Sequence, residues 1–291
     1  MNKRYKICII GVGLIGGSLA LAFKKNKLAL QITGCGRNPE KLHAAKRLGI
    51  INKYSLSVKD AINEADIIII ATPVGQILKF AKDTFAYAKK GAIVVDVGST
   101  KSQIVTQIEK IVPHDIYFIG CHPLAGSEKF GAQHASAALF LDSYCIITVT
   151  PRTNKRALRI IKSLWVRIGS SVVTMSPARH DSILSLISHL PHIVSVALIR
   201  SVDSKYFKFA AGGLKDTTRI ASSEPLMWRD ICVSNRSNII HAIEQFEKYL
   251  KKIKNALSES DDTALLEELK AAQRRRDLLA DKNQNAEKAT G

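Results

Sequence analysis

Hydrophobic residues follow two rhythms along this chain, and the change between them falls near residue 176. In the first part, short apolar runs alternate with stretches of helical spacing. Tyr5–Ile10 is a β-rich run ending at glycines, and residues 17–25 carry a helical pattern. Residues 30–34 predict a second strand, and residues 39–48 a helix stopped by Gly49. The segments at 65–71 (ADIIIIA) and 92–97 (AIVVDV) are almost wholly apolar, as expected of strands covered on both faces. Between them, residues 77–89 predict a helix stopped by Gly91. Then come a helix at 103–111, strands at 116–120 and 144–150, a helix at 154–168 and a strand over Ser171–Met175.

Strands and helices in alternation specify a mainly parallel sheet with helices on both faces. After Ser176 the strand-like runs stop, and residues 178–200, 225–254 and 263–279 repeat at helical spacing. The pattern therefore predicts an α/β chain with a doubly wound parallel sheet over residues 1–175. An all-α domain follows over 176–280, and the polar end at 281–291 is expected to fray. At 291 residues the chain is long enough for each part to bury its own core.

The first strand runs into Gly11-Val12-Gly13-Leu14-Ile15-Gly16. A G-x-G-x-x-G between a strand and a helix is the dinucleotide-binding arrangement, with the helix N-terminus offering amides to phosphate. Gly11 serves the tight turn, Gly13 the approach of the pyrophosphate, and Gly16 the close packing of helix on strand. The first domain is thus of Rossmann type. An acid after the second strand would bind the ribose 2′-hydroxyl of NAD. Here the chain reads Gly34-Cys35-Gly36-Arg37-Asn38 instead. Arg37 could pair with a 2′-phosphate or be a solvated loop charge, so NAD or NADP is expected, with a slight tilt to NADP.

Composition narrows the rest. The net charge is +18, yet residues 251–291 hold nine Lys/Arg against eight Asp/Glu, so nearly all the excess is spread over residues 1–250. No zinc-finger spacing, RNP-like aromatic pattern or basic arm accompanies it, so nucleic acid is not the expected partner. A diffuse positive field suits a small anionic substrate. The five cysteines are odd in number and scattered, with no C-x-x-C pair, which points to a reducing cytoplasm. The basic start, the apolar stretch at 7–23 and Ala20-Leu21-Ala22 mimic an export signal. The glycine spacing inside that stretch has no purpose in a signal, and the run is short for a membrane span of about 20 residues. No export and no membrane partner are expected.

Candidate chemistry gathers where strands should end, at the ligand crevice of an open α/β sheet. Thr72-Pro73 follows one strand and Asp96-Val97-Gly98-Ser99-Thr100-Lys101 another, where Ser99 is expected to cap a helix, to act chemically, or both. His122, after the strand at 116–120 and before Pro123, is a natural general base. Cys121 beside it would point the opposite way in an extended chain. In the helical half, His189 and His192 lie three apart, on one helix face. They lack a third ligand, and no metal is expected. Arg219, in GGLKDTTR, could clamp a carboxylate or be a surface charge.

The motifs GVGLIGGS, DVGSTK, CHPLAGSEK, SHLPH, GGLKDTTRIA and MWRDI occur in this order in one chain. Together they resemble the prephenate/arogenate dehydrogenase family of tyrosine biosynthesis, across roughly residues 6–250. The resemblance implies a Rossmann domain joined to a helical dimerisation domain, a homodimer, and NAD(P)-dependent oxidative decarboxylation of prephenate or arogenate. It implies His122 as catalytic acceptor of a hydrogen bond from the ring hydroxyl, with Ser99 orienting that hydroxyl and the histidine. It also implies His192, Arg219 and Lys215 in the substrate site, Arg219 holding a carboxylate. Neither a fused chorismate mutase segment nor a regulatory domain fits in the chain, so tyrosine inhibition would act at the active site. Outside that family the same architecture would suit a β-hydroxyacid dehydrogenase, which uses a helical lysine, or a nucleotide-sensing binding protein.

Overall fold

A computed structural model describes residues 3–126 and 130–288. The chain divides into two compact units, residues 1–239 and 240–291.

The first unit is built on one sheet. Its strands are β1 (Tyr5–Ile10), β2 (Ala29–Cys35), β3 (Lys53–Ser55), β4 (Ile67–Ile70), β5 (Ile93–Asp96), β6 (Tyr117–Pro123), β7 (Tyr144–Thr148) and β8 (Ser171–Met175). Between them lie α1 (Leu14–Lys25), α2 (Pro39–Arg47), α3 (Val58–Ile62), α4 (Val74–Phe85), α5 (Ser102–Ile108) and α6 (Lys155–Arg167). The order in the sheet is β3-β2-β1-β4-β5-β6-β7-β8. The first six strands pair in parallel and give the dinucleotide-binding order, with its crossover reversal between β1 and β4. Ile67–Ile70 and Ile93–Asp96 are buried throughout, because helices cover both faces. Those faces carry two apolar clusters, one around Ile9, Leu19, Val95 and Trp165, the other around Ile10, Ile68, Val94 and Ile231.

Two features near the crevice depart from the sequence pattern. β7 runs antiparallel to β6, and this pairing carries β6 three residues further than expected, through His122 (opposite Ile146) to Pro123. The extension puts Cys121 wholly in the core and His122, partly buried, on the other face. Their opposite orientation was expected, but on a loop after the strand rather than inside it. Second, α1 starts at Leu14, three residues before the expected point.

After β8 the chain is helical: α7 (Pro177–Leu184), α8 (Leu190–Ser201), α9 (Gly212–Thr218), α10 (Pro225–Ser234), α11 (Arg236–Ser258) and α12 (Asp262–Lys288). Between α7 and α8 the helix widens into a π-turn at Ser185–His189. Pro191 accounts for it: proline donates no amide bond to residue 187, and its ring crowds that carbonyl. The stretch Pro177–Ser201 is long enough to cross a membrane, and its most apolar 18-residue window has a mean hydropathy of 1.8. It instead carries buried His180, Asp181 and His189 beside the sheet. The helix expected at 225–254 is two, broken at Asn235, a buried residue with non-helical φ −117° and ψ 29°. In the second unit, α12 follows a turn at Ser260 (φ +54°), and Lys252 meets Glu268 at 3.4 Å. The α12 backbone continues to Lys288, through most of the stretch expected to fray.

Candidate active site

The carboxyl ends of β1, β4, β5 and β6 open on a cavity of about 860 Å³. Eight residues singled out in the sequence share its walls: Gly13, Leu14, Ile15, Thr72, Pro73, Ser99, His122 and Arg219. The helical side adds Ile187, Ser188 and Pro191 from the π-turn region, and Glu224, Met227 and Trp228 from around the start of α10. Of the CHPLAGSEKFG motif, Leu124, Ala125, Gly126, Phe130 and Gly131 line it too, while Ser127, Glu128 and Lys129 lie outside the described residues.

Each glycine of the first loop has its own physical reason. Gly11 sits at φ +96°, and a Cβ there would come 2.5 Å from the Ala71 carbonyl oxygen. At Gly16 a Cβ would lie 2.2 Å from the Gly11 oxygen, so α1 could not approach the turn. Around Gly13 a Cβ would meet nothing within 4 Å, which leaves its backbone open to the cavity. Gly13 is also the N-cap of α1, with no side chain bonded to the first amides and no acid in the first turn. Thr72 Oγ1 is buried without a hydrogen-bond partner among the described residues. Unfilled amides at a helix N-terminus, bare backbone and a waiting hydroxyl fit the diphosphate of a dinucleotide. Arg37 is exposed beyond the end of β2, next to Asn38, the N-cap of α2.

At the chemical end, His122 Nδ1 lies 2.8 Å from His180 Nε2, and His180 Nδ1 lies 2.7 Å from Asp181 Oδ1. Asp181 accepts the amides of Lys101 and Ser102, each at 2.8 Å. Burial, then the neighbouring charges of His180, Lys101 and His189, push the His122 pKa well below its ordinary value. Burial also lowers His180 and takes His189 down to about 4. The site therefore presents neutral imidazoles at neutral pH. Beneath it, the wholly buried Lys101 ammonium is paired with Asp96, whose Oδ2 also accepts the Gly98 amide at 2.9 Å. Burial raises the Asp96 pKa in spite of that lysine.

Several expected residues sit elsewhere than the sequence suggested. Ser99 is not a helix cap: α5 begins at Ser102 with Lys101 at the cap position, which leaves Ser99 on the cavity wall. Gly11 and Gly16 shape the loop from behind. Lys215 is exposed on α9 and is not a wall residue. His192 is buried behind the wall, stacked on Trp228 with ring centroids 3.5 Å apart and planes 2° from parallel. His189 does not face it as a co-ligand but lies 3.1 Å, through Nδ1, from Asn235 Nδ2. Among the described residues, no three His, Cys, Asp or Glu side chains are grouped to hold a metal.

His180, Asp181, Lys101, Asp96 and Trp228 were missed as site residues. Lys101 and Asp96 stand in the DVGSTK motif, but their pairing depends on the turn between them. His180-Asp181 was one pair among many on an expected helix; its link to a strand 58 residues away has no local signature.

Comparison with known proteins agrees with this geometry. A family model described as the nucleotide-binding domain of prephenate dehydrogenase matches residues 19–174, and one described as its dimerization domain matches 176–271. The prephenate dehydrogenase of Bacillus subtilis is 38% identical over 280 residues, covering 94% of this chain and 76% of that protein. The cyclohexadienyl dehydrogenase of Zymomonas mobilis is 32% identical over 277 residues, covering 93% and 94%. Among solved structures, prephenate dehydrogenase from A. aeolicus, in complex with hydroxyphenyl propionate and NAD+, superposes with a TM-score of 0.89. Its identity is 35%, over 96% of this chain and 99% of that one. The first match begins inside α1, so the glycine loop stands on its own geometry. With a nucleotide-binding sheet, a helical domain and a histidine-lined crevice where they should be, the chain belongs to the prephenate dehydrogenase family and is an NAD(P)-dependent oxidoreductase.

Proposed function

We propose that the enzyme oxidises and decarboxylates prephenate to 4-hydroxyphenylpyruvate and CO2, with His122 as the catalytic acceptor and Ser99 beside it. The observation that carries this reading is a neutral histidine on the wall of the same cavity as the dinucleotide loop. A bound nicotinamide supplies the hydride acceptor. His122 takes a hydrogen bond from the ring hydroxyl and draws electron density from it as hydride leaves the same carbon. Loss of the ring carboxylate as CO2 then makes the ring aromatic. Ser99 orients the hydroxyl and His122, and Arg219, also on the cavity wall, holds a carboxylate of the dianion. His192, expected in the substrate site, acts from behind its wall by supporting Trp228 through the stacked rings, and Lys215 is kept as a substrate-site residue on the resemblance alone.

Gly13, Leu14, Ile15, Thr72 and Pro73 would hold the dinucleotide. No acid follows β2, and exposed Arg37 gives a slight preference for NADP over NAD. The helical half serves a homodimer: in Pro177–Ser201 only 28% of the most apolar window is buried, and Leu226, Val233 and Phe209 are exposed. Free cysteines, four of them buried, support a cytoplasmic location. Neither the domain division at residue 175 nor a tail from 281 is needed for this chemistry, and both stay part of the proposal.

The test is a matrix of kcat/KM for prephenate and arogenate, each with NAD and NADP. The reading expects turnover with prephenate exceeding that with arogenate, and NADP at least equal to NAD. Turnover with arogenate alone would overturn the substrate assignment. An NADP-to-NAD ratio of kcat/KM left unchanged by Arg37→Ala would overturn the role of Arg37.

A further inference from the structure

We propose that His180 and Asp181 are positioning residues: they hold His122 in the tautomer with its proton on Nδ1, leaving the Nε2 lone pair for the cavity. This rests on the reading of His122 as the acceptor. The direction of each hydrogen bond follows from the far end of the chain. Asp181 Oδ1 accepts the Lys101 amide and Oδ2 the Ser102 amide, each at 2.8 Å, which suits an ionised carboxylate. Burial pushes the Asp181 carboxyl up, but the His180 bond and those two amides outweigh it and hold its pKa below the ordinary value. A carboxylate can only accept, so His180 must donate from Nδ1 across 2.7 Å.

Neutral His180 then has a bare Nε2. At 2.8 Å from it, His122 Nδ1 must carry the hydrogen, because two lone pairs at that distance would repel. One nitrogen of His122 is thereby fixed as donor, and Nε2 as acceptor. The reverse order would put His180 Nδ1, lone pair first, against Asp181, and would leave His122 offering an N–H to the substrate hydroxyl. Protonating His180 would also reverse the bond to His122. Burial opposes that, as does the Lys101 charge, while Asp181 and Asp96 favour it; the balance lowers the His180 pKa. His189 on the same helical stretch is neutral too, at about 4. Asn235 Nδ2 donates to the Asp181 carbonyl at 2.8 Å and fixes the helix that carries the pair.

Nothing else is needed to choose a tautomer, and an unconstrained imidazole would divide between the two. A structural pair that merely filled space would leave that division open. Substituting His180 by Phe removes the acceptor but keeps a ring. His180→Gln replaces it, since the glutamine Oε1 can accept where Nε2 stood.

The experiment is nitrogen-15 NMR of the histidines in the full-length protein, with His122 signals assigned by their loss in His122→Asn. Wild type and His180→Gln are expected to show His122 protonated at Nδ1. His180→Phe is expected to show protonation moving to Nε2, with kcat for prephenate falling about 10- to 100-fold, KM little changed, and kcat restored in His180→Gln. An Nε2-protonated His122 in the wild type overturns the proposal even if His180→Phe does not fold. So does an unchanged tautomer in folded His180→Phe. The expected tautomer without turnover of prephenate would instead refute the proposed reaction and leave the positioning intact.

Discussion

Histidine 122 shows how a residue acquires a setting its neighbours in sequence cannot give it. Its strand position comes from pairing with Ile146, 24 residues on, and its neutrality from burial and the charges around it. The sequence indicated the residue and its neighbour's opposite direction. It held no sign of His180, because a hydrogen bond spanning 58 residues is decided by how α7 lies beside the sheet. Arg219 was legible as a candidate clamp, and its place on the cavity wall supports that role. Arg219→Ala should raise KM for prephenate at least tenfold while leaving the unfolding midpoint in place. An unaltered KM would remove the clamp. His192 was expected on a helix face and, by resemblance, in the substrate site, but its stacking on Trp228 was not legible, since the tryptophan arrives from a different helix.

At the scale of elements, local signals were most reliable where one turn decides the geometry. The glycine loop, the buried strands β4 and β5 and the α6 boundary, capped by Asn154, all follow from nearby residues. Partners far away decided the rest: the reach of β6, the antiparallel β7 and the break at Asn235. Proline 191 lies within residues 178–200, expected as one helical stretch, and marks a widening inside it, because the helix continues on both sides. The glycines separate binding from folding. Gly13→Ala points its methyl into open space and should raise the cofactor KM severalfold or more at nearly constant Tm. Gly16→Ala drives a methyl onto the Gly11 carbonyl and should lower Tm by several degrees, consistent with about 1–3 kcal/mol for overpacking. Equal Tm losses in the two variants would show that the loop is not built as described.

For the molecule as a whole, the helical half was legible as helix but not as a surface. Among its apolar side chains, Leu186, Ile187 and Val196 are exposed. A second copy of the chain is the expected cover, and light scattering should report a dimer; a monomer at micromolar concentration would contradict it. Acid should weaken the fold in a defined window. His122, His180 and His189 all have folded pKa values below the ordinary 6.5, so below about 6.5 the unfolded chain takes up protons that the folded one refuses. Stability should be full above that pH and fall steadily as pH drops toward 4, where His189 titrates in the fold. Each group adds up to about 1.4 kcal/mol per pH unit. Urea unfolding from pH 7.5 to 4.5 measures this, and a flat profile would mean the histidines are not held neutral.

The central claim is that this cavity oxidises prephenate through His122, and absorbance at 340 nm tests it most directly. Purified enzyme with prephenate and NADP or NAD should form reduced cofactor, and His122→Asn should lower kcat by about 10² to 10⁴ with the fold retained. Reduced cofactor formed at an undiminished rate by the folded variant, or none formed by the wild type with either cofactor, would contradict the account.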